Sequence, residues 1–180
     1  WFEKVGVDAV VQEYASGLEF GVFYYRYPEE ARGHVFSITR KVFPEVVGDG
    51  VHTLEHLILA DERAVCMARL YLEKNARRLY DVPAAGERVR LTDIGNHCRG
   101  TVFYDGTHLC TDALVEAIDG ISKGVPGFYF GRYDVLVPSV EDLRRGENLK
   151  VIELNGATSE ATHIYDPGFG LLRAYRTLFE

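Results

Sequence analysis

The sequence predicts an α+β fold in which a largely antiparallel sheet is covered by helices. Three observations predict it. Segments rich in Val, Phe and Tyr follow one another near the start across short polar turns, and helical periodicity takes over only from Thr53. Later strands and helices then mix without the regular alternation that a parallel βαβ sheet requires. At 180 residues and 47% hydrophobic, the chain is long enough for one domain with a sizeable core, and no repeat or linker divides it.

Taken in order, apolar residues dominate from Val5 to Tyr14 and read as a first strand, which Ser16-Gly17 breaks. Glu19 to Tyr25 has strand composition, and the polar turn Pro28 to Gly33 leads into a third segment, Val35 to Val42. Thr53 to about Leu79 reads as two helices broken near Ala60-Asp61, with Asp61 capping the second and Pro83 limiting it. Arg88 to Ile94 alternates as a strand. Thr101 to Tyr104 followed by Asp105-Gly106 signals a hairpin, because that dipeptide tolerates positive φ. Thr111 can cap a helix with the apolar face Leu114, Val115, Ile118 and Ile121, which Gly124 and Pro126-Gly127 release into a Phe128 to Val137 strand. Ser139-Val140-Glu141-Asp142 resembles a capping box for a short helix ending by Arg145; a last strand, Val151 to Asn155, and a closing helix, about Leu171 to Phe179, follow.

Composition excludes several classes. A formal net charge of -7 argues against a nucleic-acid surface, which needs clustered Lys and Arg with little acid between them. No apolar run approaches the roughly 18 residues that a membrane span needs, and the start lacks a signal-peptide pattern, so the expectation is a soluble, cytoplasmic protein. Cys66, Cys98 and Cys110 are odd in number and lack CxxC spacing, which predicts reduced thiols, with Cys66 packed in the core. The chain opens on Trp1 rather than Met, and the expectation is a piece of a longer protein.

The chemistry concentrates late in the chain, in Gly131-Arg132-Tyr133-Asp134-Val135 and Val151-Ile152-Glu153-Leu154-Asn155-Gly156. Side chains alternate along a strand, so Glu153 and Asn155 share one face, as do Arg132 and Asp134. Two carboxylates, a carboxamide and a guanidinium set in apolar backbone suit Mg²⁺, which takes one or two protein carboxylates together with water and nucleotide phosphates. An Arg132 to Asp134 ion pair on a sheet surface, needing no metal, is the plainer alternative. A competing motif, His52-Thr53-Leu54-Glu55-His56, fits the His-x-x-Glu-His zinc pattern but lacks an identifiable third ligand.

The order of Gln12-Glu13-Tyr14-Ala15 and Glu19, then Arg132 and Asp134, then Glu153 and Asn155 resembles the ATP-grasp superfamily of carboxylate-amine ligases. The likeness extends to D-alanine:D-alanine ligase-like and cyanophycin synthetase-like domains, the latter through Gly48-Asp49-Gly50. The resemblance implies a C-terminal ATP-grasp subdomain. It also implies an adenine hinge at Gln12, Glu13, Tyr14 and Ala15, with the backbone of Glu13 and Ala15 reading the base edge and Glu19 accepting from the ribose hydroxyls. Asp134, Glu153 and Asn155 match the metal ligands for Mg²⁺ or Mn²⁺, and Arg132 matches an arginine that steadies the transferring phosphate. Lys41, or less readily Arg40, stands where related ligases carry a phosphate-contacting cation. The implied reaction uses ATP to convert a small-molecule carboxylate into an acyl phosphate, which an amine or thiol then attacks. A non-catalytic ATP-binding sensor is the alternative on the same fold. The resemblance further implies an upstream subdomain that supplies the other wall of the nucleotide site. Gly156 to His163 departs from the Pro-Gly-Met loop of D-alanine:D-alanine ligases and puts a D-alanyl substrate in doubt. His163 and Asn96-His97-Cys98-Arg99 are candidates for substrate contact.

Overall fold

Alternation in Leu18–Tyr25 sends Phe20, Val22 and Tyr24 to one side and Glu19, Gly21 and Phe23 to the other, and this strand, β1, lies at the centre of the main sheet. A computed structural model of the chain describes residues 6, 8, 11 and 13–179. After β1 come β2 (His34–Val42), β3 (Glu45–Val47), α1 (Leu54–Ala60), α2 (Ala68–Lys74), β4 (Arg88–Arg90) and β5 (Val102–Asp105). The order continues with α3 (Asp112–Lys123), β6 (Phe130–Val137), α4 (Val140–Arg145), β7 (Lys150–Asn155) and α5 (Leu171–Phe179). The main sheet runs β5-β2-β1-β6-β7 with antiparallel pairing throughout, and β3 and β4 form a second, two-stranded antiparallel sheet. The architecture is α+β, as the sequence predicts.

One face of the main sheet is apolar and covered. Phe20, Val22, Tyr24, Ile38, Tyr133, Val135 and Val137 pack against Leu114 and Ile118 of α3 and Leu143 of α4. Each such side chain, fully buried, contributes roughly 1.5–3 kcal/mol relative to exposure. The helices begin where the sequence places their caps: Thr111 Oγ1 accepts from the Leu114 amide and Ser139 Oγ from the Asp142 amide. A second core joins Val46 and Val89 to Leu54, Ile58 and Tyr71 beside the small sheet. The opposite face of the main sheet carries the polar residues of β1, β2, β6 and β7.

Several elements differ from expectation. Of the strand expected over residues 5–14, residues 5, 7, 9, 10 and 12 lie outside the described residues, and the others are in no strand; both edges of β1 are taken by β2 and β6. The Asp105-Gly106 hairpin is absent. Gly106 has φ -104°, its amide donates to the Ile38 carbonyl, and the chain enters a 3-10 turn at Thr107–Leu109 while β5 pairs with β2. Asp61 caps, but its carboxylate accepts from the Arg63 and Ala64 amides and so starts a 3-10 turn, Ala64–Met67, which delays α2 to Ala68. Asn75 ends α2 well before Pro83, its side chain donating to the Tyr71 and Leu91 carbonyls. Cys66 is exposed rather than packed in the core, because it falls on that irregular turn.

Candidate functional site

Strand register brings the polar residues of four strands onto one face. Glu19 of β1 lies opposite Lys41 of β2, Gly21 opposite Asp134 of β6, Asp134 opposite Glu153 of β7, and Arg132 opposite Asn155. Directly opposed residues point the same way, so these side chains share one surface. Lys41 Nζ stands 2.6 Å from Glu19 Oε1 and 3.0 Å from Asp134 Oδ2. Arg132 Nε donates to Asp134 Oδ1 at 3.0 Å, and its NH1 to the Glu160 carbonyl at 3.2 Å. Glu19 and Lys41 are each 8% exposed and Asp134 2%. The result is a buried chain of alternating charge, Glu19 to Lys41 to Asp134 to Arg132. Gly21 leaves the space it needs: a Cβ there would lie 3.0 Å from Arg132 Cδ and 3.3 Å from Asp134 Oδ1. Gly95 does the same for Glu19, since a Cβ on it would come within 2.7 Å of Oε2.

Glu19 also lines a cavity of about 380 Å³. One wall is the segment Glu13, Tyr14, Ala15, Ser16 and Gly17, which runs irregularly into β1 and so leaves backbone groups free of sheet pairing. Phe43, Leu136 and Ile152 supply apolar surface, and Arg90 and Asp93 close the far side. The Arg90 guanidinium sits over the Phe43 ring, 3.3 Å from its centroid, and Lys74 beside Asp93 holds that carboxyl below the usual carboxylate range. Lys150 Nζ reaches Glu13 Oε1 at 3.2 Å and ties this segment to β7. Gln12 lies outside the described residues. Among the residues that sequence reasoning overlooked, Leu136 was within reach, because two-residue alternation from Asp134 puts it on the same face. Ile152 was not: the register shifts between Asp134 and Val135, which leaves Ile152 without a cross-strand partner and turns it to the cavity.

Glu153 is exposed, and Asn155 Nδ2 is buried with no hydrogen-bond partner among the described residues. Asp134, Glu153 and the Asn155 Oδ1 are hard oxygen donors, while the unpaired Asn155 amide nitrogen is a donor that suits an anionic oxygen such as a phosphate's. That set fits a Mg²⁺ or Mn²⁺ ion sharing its remaining positions with phosphate and water. Among the described residues, no three His, Cys, Asp or Glu side chains form a metal-binding group.

The His52–His56 motif lies apart from this face, at the start of α1 beside the second core. His52 lies outside α1, ahead of the Thr53 N-cap, yet its ring stacks on that of His56 at 4.1 Å, and His52 Nδ1 bonds Asp49 Oδ2 at 2.5 Å. Asp49 Oδ1 also accepts from the Val51 and His52 amides, so Gly48-Asp49-Gly50 builds the turn ahead of α1. Arg40, one residue from Lys41, falls on the opposite face by alternation. His163 is buried between the Phe36 and Phe169 rings, and burial pushes its imidazole below the usual range. His97 packs on Tyr165 and on Phe103, the cross-strand neighbour of Lys41, and so borders the charged network.

No protein-family model and no curated protein matches the chain. Among solved structures, it is similar to a bifunctional glutathione synthetase from Pasteurella multocida, with 20% identity and a TM-score of 0.50 over 85% of this chain and 22% of that one. The chain therefore spans less than a quarter of that protein's length, and at this identity the likeness is one of fold.

Proposed function

We propose that the chain, whose fold is that of an ATP-grasp C-terminal subdomain, is the Mg·ATP-holding part of a longer ligase. The whole enzyme joins a small-molecule carboxylate to an amine or thiol through an acyl phosphate. The observation that carries this reading is the chain of alternating charge Glu19, Lys41, Asp134 and Arg132, which reaches the hinge-lined cavity through Glu19. Buried ion pairs of this kind rarely repay their desolvation as stability, so a binding role explains them better than a structural one. The cavity, about 380 Å³, falls within the range of small-molecule pockets, and apolar walls with a few convergent polar groups are what such pockets use.

In this reading the adenine lies between Phe43, Leu136 and Ile152, with the backbone of Glu13 and Ala15 meeting its edge. Glu19 accepts from the ribose hydroxyls. Lys41 and Arg132, tied to carboxylates in the free protein, turn to the phosphates when these supply a denser negative charge. Asp134, Glu153 and Asn155 would hold Mg²⁺ or Mn²⁺, which when bound neutralises phosphate charge as a Lewis acid. Arg132 steadies the phosphoryl group as the substrate carboxylate attacks it, and the amine or thiol then displaces phosphate from the acyl phosphate. The protein contributes positioning and charge complementarity, with no nucleophilic side chain required. The cytoplasm supplies ATP and Mg²⁺ for such chemistry; no described helix is long and apolar enough to cross a membrane.

ADP release by the full-length protein, screened over carboxylates and amines with Mg·ATP, tests the proposal. Glu153→Gln should depress turnover by about 10²-fold or more with folding intact, because Glu153 is exposed. Unaltered ATP turnover in that variant would remove Glu153 from the mechanism. The 180-residue chain alone should bind Mg·ATP weakly, at roughly millimolar Kd, and release no ADP.

A further inference from the structure

A second cavity, about 600 Å³, opens on the same sheet face beyond Arg132. Its floor is aromatic: Phe23 and Tyr25 of β1, Phe130 of β6, and Phe36, which the register shift between Phe23 and Tyr24 leaves unpaired in β2. Phe23 meets Phe36 and Phe130 edge-on, with centroids 6.0 and 5.0 Å apart. The cavity is contiguous with the charged network, because Phe23 pairs with Arg132, and the Glu160 carbonyl that Arg132 bonds belongs to a wall residue. At the far end Arg26 lies over the Tyr129 ring at 4.6 Å. Arg26 Nε and Ser159 Oγ, of two residues that line the cavity, are buried without hydrogen-bond partners among the described residues.

Aromatic surface that leaves a buried guanidinium nitrogen and a hydroxyl unsatisfied is complementary to a molecule with an apolar ring and an anionic acceptor. We propose that this cavity binds an aromatic carboxylic acid, amino acids included. Its ring lies among Phe23, Phe36 and Phe130, and Arg26 and Ser159 meet a carboxylate oxygen. This assignment rests on the cavity alone: a carboxylate held at Arg26 is turned away from Arg132, so the site is separate from the phosphoryl-transfer centre.

The test follows the ring NMR signals of Tyr25, Tyr27 and Tyr129 in the 180-residue chain during titration with 3-phenylpropionate, propionate and 3-phenylpropanol to about 10 mM, a range that captures millimolar binding. The expected result is saturable shifts with 3-phenylpropionate and at least about tenfold weaker responses to the other two, which lack the ring or the charge. Phe130→Ala, at an exposed ring, and Arg26→Gln should each weaken binding by about tenfold. Equal responses to propionate and 3-phenylpropionate, no shift, or binding that survives both substitutions would overturn the assignment. Mg·ATP titrated separately divides the two readings. Mg·ATP binding with no response to 3-phenylpropionate overturns the cavity assignment alone, whereas 3-phenylpropionate binding with no Mg·ATP binding overturns the ligase reading and upholds the cavity assignment.

Discussion

Replacing Lys41 by Met removes the cation that two buried carboxylates share. Asp134 keeps Arg132 Nε at 3.0 Å, but Lys41 is the only cation that Glu19 pairs with among the described residues. Breaking one side of a buried pair costs roughly 3–5 kcal/mol, because the remaining charge stays desolvated. A domain of this size loses about 2–4 °C of Tm per kcal/mol, so Lys41→Met should lower Tm by roughly 6–20 °C. Adding Glu19→Gln turns the orphaned charge into an amide of the same shape and should recover most of the loss. Thermal and urea unfolding of the wild type, both single variants and the double variant close the cycle. A Lys41→Met shift under about 2 °C, or a double variant as unstable as the sum of the singles, would refute the reasoning.

Three further outcomes are expected. Burial and a 2.7 Å bond donated to Asp119 push the Tyr24 phenol up to about 12, and Tyr71, Tyr133 and Tyr165 are raised as well, so a spectrophotometric titration should show a late-ionising group of tyrosines that shrinks in Tyr24→Phe. Stability should accordingly be full below about pH 10, where the unfolded phenols keep their protons, and decline as pH rises through the native values; Tyr24→Phe should make that alkaline decline shallower. Burial holds His163 below its ordinary 6.5, so the unfolded chain takes up the proton first; stability should decline as pH falls from there through the lowered native value, and His163→Gln should flatten that slope in urea unfolding measured across the range. Gly95→Ala would put a Cβ 2.7 Å from Glu19 Oε2 and should weaken Mg·ATP binding by about tenfold in calorimetry, whereas unchanged affinity would detach Glu19 from the nucleotide.

The polar face was legible because alternation is local. Arg132 with Asp134, and Glu153 with Asn155, follow from spacing within one strand, and burial of Phe20, Val22 and Tyr24 fixes which side they occupy. What alternation cannot supply is pairing across strands that lie far apart in the chain. The meeting of Lys41 with Asp134, 93 residues apart, depends on β1 lying between β2 and β6. Register shifts were equally hidden, and they place Ile152 in one cavity and Phe36 in the other. The Asp105-Gly106 turn misled for a related reason: the dipeptide permits a hairpin, but a bond from the Gly106 amide to Ile38 in β2 decides against one. Resemblance to ATP-grasp ligases added expectations of residue roles that spacing alone could not give.

Paramagnetic broadening by Mn·ATP tests the central claim, that the polar face of β1, β2, β6 and β7 holds a metal-bound nucleotide, and it tolerates weak binding. Amide signals of Asp134, Glu153 and Asn155 should fade first, with Lys41 and Arg132 close behind, while the β3–β4 sheet stays sharp at the same Mn²⁺ concentration. Asp134→Asn with Glu153→Gln should abolish the effect. Broadening centred on Asp49, His52 and His56, or spread evenly over the acidic surface and unaltered in the double variant, would contradict the account.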